Sequence, residues 1–100
     1  AYVVYSLTGG VVTIRKALNV SSVVRNSVGN CTITFTTPIT DANYPFSAKG
    51  AWRENNIYAG DVVTAQNSIK TANQLQVVGI NRAQGTGDPT DLTEICVIVF

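Results

Sequence analysis

The stretch Cys31-Thr32-Ile33-Thr34-Phe35-Thr36 alternates large apolar side chains with threonines. A period of two residues is typical of a β-strand, because successive side chains point to opposite faces of a sheet. The stretch is therefore predicted to be a half-buried strand of an antiparallel sheet. Its apolar side chains would face the core and its threonines would face solvent.

A turn at 27–30 precedes this strand, since Gly29 and Asn30 both tolerate positive φ. It joins the strand to a segment at 18–24 in a predicted hairpin. The residues predicted to share one face of that segment are Leu18, Val20, Ser22 and Val24.

Other short strands are separated in the same way by glycine, asparagine and proline. Residues 2–7 and 11–16 are predicted to form a second hairpin around Thr8-Gly9-Gly10. A helix at 61–71 is the alternative to a loop with a short strand near 62–64, but β-branched residues and the lack of an apolar stripe favour the loop. The remaining strands are predicted at 46–52, 74–81 and 92–100, with a turn at 41–45 and a loop at 82–91.

These short strands predict an all-β fold, an antiparallel β-sandwich that occupies residues 1–100 as a single domain. The chain has two cysteines, Cys31 and Cys96, whereas a disulfide-stapled domain of this size usually carries more. We therefore favour free thiols over a disulfide.

The final strand is apolar on both faces. Ile95, Val97 and Val99 alternate with Cys96, Ile98 and Phe100, and a strand of this kind is buried on both sides. In a two-layer domain the second apolar face favours a subunit contact over the alternative, a central strand covered by a loop. The predicted interface residues are Ile95, Val97, Ile98, Val99 and Phe100.

The composition limits the classes of partner. The chain is 45% hydrophobic and 13% charged with a net charge of +1, so disorder is not expected. Its basic residues do not form the stripe that a nucleic-acid binder needs, and no apolar run is long enough for a membrane helix. Residues 1–5 lack the basic region of a signal peptide, and the missing initiator methionine suggests a processed or excised product.

The sequence offers little for catalysis. It has no histidine, the commonest general base, and two cysteines without histidine make no convincing zinc site. Asp88, Asp91 and Glu94 are near each other in sequence but lack calcium-loop spacing, and we interpret Asp88 and Asp91 as solubilising and turn-forming loop residues. We expect no enzyme activity, no catalytic residue, no metal and no cofactor.

The best candidate for ligand binding is the stretch 52–58, which sets two aromatic rings and an arginine beside amides. Aromatic faces stack on sugar C–H surfaces, and such residues are enriched at interface hot spots. The alternative is that Trp52 and Tyr58 are ordinary core residues, as we predict for Tyr44. The loops 53–61 and 82–91 are the expected exposed tip. The candidate ligand-binding residues are Trp52, Arg53, Asn55, Asn56 and Tyr58.

Four segments occur in a characteristic order: Val12-Thr13-Ile14-Arg15, Asn19-Val20-Ser21-Ser22-Val23, Thr32-Ile33-Thr34-Phe35-Thr36-Thr37 and Asp41-Ala42-Asn43-Tyr44. This ordered set resembles a β-domain common at the C-terminal end of bacteriophage and prophage tail fibre and tailspike proteins. The resemblance covers residues 2–44, and the end of the chain at 96–100 is also similar to the end of that domain. Residues 45–91 match no pattern of the family.

The resemblance implies a virion protein that is assembled in the host cytoplasm, forms a homotrimer and contacts other virion proteins. We expect a tail fibre or tailspike tip that helps to recognise a host surface polysaccharide or another envelope receptor. A capsid decoration, cement or head-fibre protein is the main alternative, and an accessory domain of a depolymerase is a second. Neither nucleic-acid binding nor membrane insertion is expected.

Overall fold

The computed structural model describes residues 1–51, 53–54, 57–58, 60–64, 68–81 and 88–100. For residues 53–54, 57–58, 60 and 81 the description covers the backbone alone. The described part contains eleven strands and a short 3-10 helix at Thr8–Gly10. The strands are β1 (Tyr2–Ser6), β2 (Thr13–Leu18), β3 (Val20–Ser27), β4 (Asn30–Phe35), β5 (Phe46–Ala51), β6 (Arg53–Glu54), β7 (Ile57–Tyr58), β8 (Gly60–Val63), β9 (Gln74–Asn81), β10 (Asp88–Pro89) and β11 (Glu94–Val99).

Most strands belong to two antiparallel sheets. Sheet I has the order β2-β1-β11-β5, and sheet II contains β3, β4 and β9 in that order, with β8 and β10 also paired to β9. The predicted all-β fold of two antiparallel sheets is thereby confirmed. Among the described residues, no helix is long and apolar enough to cross a membrane.

The core lies between the inner faces of the two sheets. Each inner strand contributes alternate side chains, and burying a large apolar side chain stabilises the fold by roughly 1.5–3 kcal/mol. Leu92, just before β11, is also fully buried. The largest fully buried side chains are Val3, Tyr5, Leu7, Cys31, Ile33, Leu75, Val77, Leu92, Ile95 and Val97.

The hairpin of β3 and β4 forms where the sequence predicted it. The prediction of which side chains of residues 18–24 share a face is wrong. The register shifts between Val20 and Ser22, so Ser21 is an extra residue on β3. A bulge of this kind reverses the alternation beyond it. Val23 is therefore buried, whereas Val24 is exposed.

Asn19 carries the chain from sheet I to sheet II. It has φ 57°, the only positive φ among the described residues other than glycine. Its side chain donates to the Thr37 carbonyl oxygen at 3.0 Å and accepts from the Thr37 N–H at 2.7 Å. The segment 18–24 is thus two strands in two sheets, because β2 ends at Leu18 and β3 begins at Val20.

The turn between β3 and β4 requires glycine. Gly29 has φ 70°, and a Cβ there would lie 2.7 Å from backbone atoms of Gly79 and Thr90. The turn predicted at 27–30 is confirmed, and it brings three segments into backbone contact at one end of sheet II.

The less periodic regions agree with the predictions only in part. The short strand expected near 62–64 is β8, and residues 61–63 are extended, so a helix across 61–71 does not form. The loop predicted at 82–91 is wrong at Asp88–Pro89, where β10 pairs with β9, whereas residues 90–91 belong to no strand. Residues 82–87 lie outside the described residues.

Candidate docking site

Sheet I presents an apolar surface on the side away from the core. Tyr2 lies opposite Leu18 on one neighbouring strand and Ile98 on the other, and Val4 lies opposite Cys96. Residues directly opposite each other in an antiparallel pair share a face. We call this surface the outer apolar face, and its residues are Tyr2, Val4, Leu18, Cys96, Ile98 and Phe100.

Several of these side chains are strongly exposed. Phe100 is 73% exposed, Leu18 58% and Ile98 40%, while Tyr2, Val4 and Cys96 are partly buried. Scattered exposed apolar residues are normal, but a contiguous patch marks an interaction surface. The outer apolar face is such a patch.

The predicted interface residues divide between the two sides of β11. Ile95, Val97 and Val99 are buried in the core of the same chain. Ile98 and Phe100 are therefore the members of the predicted set that an outside partner can touch. Sequence reasoning missed the residues on β1 and β2, although Tyr2-Val3-Val4-Tyr5 is apolar on both faces, as β11 is.

Charged groups surround the outer apolar face. Lys16 lies opposite Val4, and Lys49 lies opposite Cys96, and both lysines are exposed. A shallow depression of about 180 Å³ lies along β5 and β11 and is lined by Lys49, Gly50, Ala51, Glu94 and Cys96. The surface therefore has an apolar centre and a charged rim, as protein interfaces commonly do.

An ion pair that the sequence did not predict fixes one end of the sandwich. The Arg25 guanidinium donates to both carboxylate oxygens of Asp91, at 3.0 and 2.9 Å, and the Gly29 N–H donates to the same carboxylate at 2.8 Å. The hydrogen bonds from Arg25 lower the pKa of Asp91 most, and the hydrogen bond from the Gly29 N–H lowers it further. The same pairing raises the pKa of Arg25. Our interpretation of Asp91 as a solubilising loop residue is therefore wrong.

The core contains two ionisable groups in an apolar setting. Burial raises the pKa of the Cys31 thiol to about 11 and raises the pKa of Tyr5 well above its usual range. The Tyr5 hydroxyl has no hydrogen-bond partner among the described residues. Cys31 and Cys96 are both free, as predicted. With its thiol protonated and buried, Cys31 is unsuited to nucleophilic chemistry.

Tyr44 is a packed residue, as predicted. Its ring meets the Phe35 ring edge to face at a centroid distance of 5.8 Å, and Lys70 Nζ lies 4.3 Å from its centroid. Its hydroxyl donates to the Thr71 carbonyl oxygen at 3.0 Å. These contacts tie the segment before β5 to the segment before β9.

The predicted ligand-binding stretch is largely outside the described residues. Trp52, Asn55 and Asn56 lie there, and of Arg53 and Tyr58 only the backbone is described. Arg53 pairs with Tyr58 in the two-residue ladder of β6 and β7. The described residues contain no group of three His, Cys, Asp or Glu side chains that could hold a metal ion.

Comparisons with protein-family models, curated proteins and solved structures found no match to this chain. We therefore infer the function of this chain from its own residues. Their most distinctive arrangement is the outer apolar face, carried on a sheet whose other side forms the core.

Proposed function

We propose that this chain is a non-enzymatic docking module of a bacteriophage particle, the distal domain of a tail fibre or tailspike. In this role it assembles as a homotrimer and contributes to attachment to the host surface, with a surface polysaccharide or another envelope receptor as ligand. The observation that carries the proposal is the outer apolar face with its exposed Leu18, Ile98 and Phe100.

The area of this face supports a contact between subunits. The outer apolar face lies on β1, β2 and β11. Three strands about 4.8 Å apart, with about six residues at about 3.4 Å each, give a surface on the order of 300 Å² before side-chain relief is counted. A stable interface buries about 800 Å² on each partner. The outer apolar face can therefore form the centre of an interface, while Lys16, Lys49 and adjoining loops form its rim.

The edge strands β2 and β3 favour contact through a face of the sheet over pairing of a further strand. The pairing of β2 with β1 shifts register between Val4 and Tyr5, and β3 has two such shifts against β4. β2 also carries exposed Arg15 and Lys16. Bulges and basic side chains on an edge strand oppose pairing with another chain.

The sequence supports the identity of the particle. The ordered segments between Val12 and Tyr44 resemble tail fibre and tailspike domains, and such domains act as trimers at the end of a fibre. A low content of charged residues also suits an obligate interface, since charged residues are depleted at interface cores.

Self-association is tested by measuring mass by light scattering. We expect a mass near three times 10.6 kDa for the chain, because burying the outer apolar face removes Ile98 and Phe100 from water. Ile98→Asp should give a monomer, since an unpaired charge in a dry interface costs several kcal/mol. Val28→Asp is the matched control, because Val28 is also about half exposed but lies in the turn between β3 and β4.

A folded wild-type monomer at every concentration would contradict the proposed assembly. So would a trimer that Ile98→Asp leaves intact. Thermal unfolding of each variant separates loss of assembly from loss of fold. Locating the chain in a map of the whole particle then tests the proposed position, and density on the capsid shell would show a decoration protein instead.

A further inference from the structure

The outer face of sheet II is the second broad surface of the molecule, and it differs in chemistry from the outer apolar face. On β3, β4 and β9 its described side chains include no charged group. Ser22, Thr34 and Gln74 form one cross-strand row, and Val24, Thr32 and Gln76 form the next. We call this surface the amide–hydroxyl face, and its residues are Ser22, Val24, Asn26, Asn30, Thr32, Thr34, Gln74 and Gln76. Val24 and Asn26 are exposed, Thr32 is buried and the others are partly buried. Val78, which lies opposite Asn30, is a buried apolar residue at the margin of this face.

Hydrogen bonds across the three strands hold the side chains of this face in place. Asn26 Nδ2 donates to Asn30 Oδ1 at 3.0 Å and to Thr32 Oγ1 at 2.8 Å. Gln76 Nε2 donates to the same Asn30 oxygen at 2.8 Å, from the opposite side of β4. Side chains that are already ordered lose less conformational entropy when a ligand binds.

The network leaves hydrogen-bonding capacity towards solvent. Within the described residues, nothing accepts from Asn30 Nδ2 and nothing donates to Asn26 Oδ1. The Thr34 hydroxyl accepts from Gln74 Nε2 at 3.2 Å and keeps its own hydrogen as a donor. Donors and acceptors thus lie side by side without a formal charge.

An apolar side chain lies among these polar groups. Val24 is 54% exposed because the bulge at Ser21 turns it outwards. Its position in the row of Thr32 and Gln76, next to the row of Ser22, Thr34 and Gln74, gives the amide–hydroxyl face an amphipathic character. The ring of a sugar has the same character, with C–H groups on its faces and hydroxyl groups around its edge.

We propose that the amide–hydroxyl face binds a neutral polysaccharide, with Val24 beneath the C–H face of a sugar ring and the flanking amides bonded to its hydroxyls. An anionic polymer would find no cation among the residues of the amide–hydroxyl face, since Arg25 on β3 pairs with Asp91 at one end of the sandwich, whereas Lys16 and Lys49 adjoin the outer apolar face. This inference rests on the proposed attachment function. It assigns the ligand to a sheet face of known geometry instead of the stretch 52–58.

The test is native electrophoresis of the assembled protein through gels that contain dextran, a galactomannan or laminarin, with anionic polygalacturonate for comparison. We expect at least one neutral polysaccharide to retard the protein. Val24→Glu should weaken that binding by about tenfold or more, because a carboxylate would be desolvated against the sugar. Val28→Glu is the matched control and should change the affinity by less than about twofold, because Val28 lies outside the face.

This inference would be overturned by no retardation in any neutral polysaccharide, by equal binding of Val24→Glu and wild type, or by loss of binding in Trp52→Ala while Val24→Glu is unaffected. Binding to a protein partner alone would also overturn it. Thermal unfolding of Val24→Glu shows whether the variant is folded. Light scattering distinguishes failure of this inference from failure of the proposed assembly. A trimer that binds no polysaccharide contradicts this inference alone. A monomer that binds polysaccharide contradicts the proposed assembly alone.

Discussion

Sheet I turns Tyr2, Ile98 and Phe100 away from the core, whereas sheet II turns threonines and amides away from it. The inner faces of the two sheets are alike, since both bury aliphatic side chains such as Ile33 and Ile95. The fold depends on the inner faces, where burial is complete. The outer faces are free to differ, and their chemistry determines what each side of the sandwich can meet.

The two outer faces also contribute differently to stability. Hydrogen bonds between the partly exposed amides of sheet II replace bonds to water and stabilise the fold by roughly 0.5–1.5 kcal/mol each. The exposed apolar side chains of sheet I contribute little until a partner covers them, because the hydrophobic effect acts only on surface removed from water. The side chains of the amide–hydroxyl face therefore stabilise the single chain. The side chains of the outer apolar face stabilise the protein only when the chain associates with a partner.

The largest expected effect comes from a pair of substitutions on β11. Ile95→Ala should lower the free energy of unfolding by about 3–4 kcal/mol, because Ile95 is fully buried and the change leaves a cavity. Ile98→Ala, on the opposite face of the same strand, should cost less than about 1 kcal/mol in the dissociated chain. Urea unfolding at low protein concentration measures both values.

The same two substitutions should differ further at high protein concentration. If the outer apolar face is buried between subunits, the cost of Ile98→Ala should grow with concentration, whereas the cost of Ile95→Ala should change less. Equal costs for both variants in the dissociated chain would contradict the assignment of inner and outer faces on β11.

Alternation predicted the strands well because it depends on neighbouring residues. The inner face of β4 and the two-sided character of β11 follow directly from the order of apolar residues. The prediction of which β3 side chains face the core was wrong, because the bulge at Ser21 arises from pairing with β4. The sequence of one segment does not reveal how that segment pairs. A bulge exchanges every later side chain between core and surface, so one extra residue buries Val23 in place of Val24.

The side-chain contacts of the candidate site were harder to predict. Arg25 and Asp91 are 66 residues apart in sequence, and neither belongs to a recognisable motif. Their meeting depends on the packing of the turn at Gly29 against Gly79 and Thr90. The β1 residues of the outer apolar face could have been predicted from the sequence. Residues 2–5 are apolar on both faces of the strand, which is the pattern that identified β11.

A smaller effect is expected from the ion pair that closes one end of the sandwich. Because the pKa of Asp91 is lowered in the folded chain, its carboxylate stabilises the fold fully above the ordinary carboxyl pKa of about 4. That contribution is lost as the pH falls through the lower pKa of the folded state. Asp91→Asn should therefore cost about 1 kcal/mol at pH 7, a modest value for a partly exposed pair, and progressively less as the pH falls below the ordinary carboxyl pKa.

Urea unfolding of wild type and Asp91→Asn between pH 2 and pH 7 measures this difference. Glu94→Gln is the control, because it removes an exposed carboxylate on sheet I and should change stability at pH 7 by less than about 0.5 kcal/mol. A cost of Asp91→Asn that stays constant across the pH range would show that the charge of Asp91 does not stabilise this end of the sandwich.

The last prediction concerns reactivity and requires no change in stability. Cys31 and Cys96 lie on the inner and outer sides of the sandwich, one fully buried and the other partly exposed. With a pKa of about 11, on the order of 0.1% of Cys31 would be ionised at pH 8. A disulfide reagent such as DTNB should therefore label one thiol in the native chain, and Cys96→Ser should abolish this labelling while Cys31→Ser preserves it.

The labelling rate also reports on the outer apolar face. If association covers that face, the rate at Cys96 should fall as protein concentration rises and recover in Ile98→Asp. The Cys31 thiol should become reactive only when the chain unfolds, in the assembled and dissociated forms alike. Rapid labelling of Cys31 in the native chain would mean that the inner faces open readily, and a Cys96 rate independent of concentration would mean that the outer apolar face stays in contact with water.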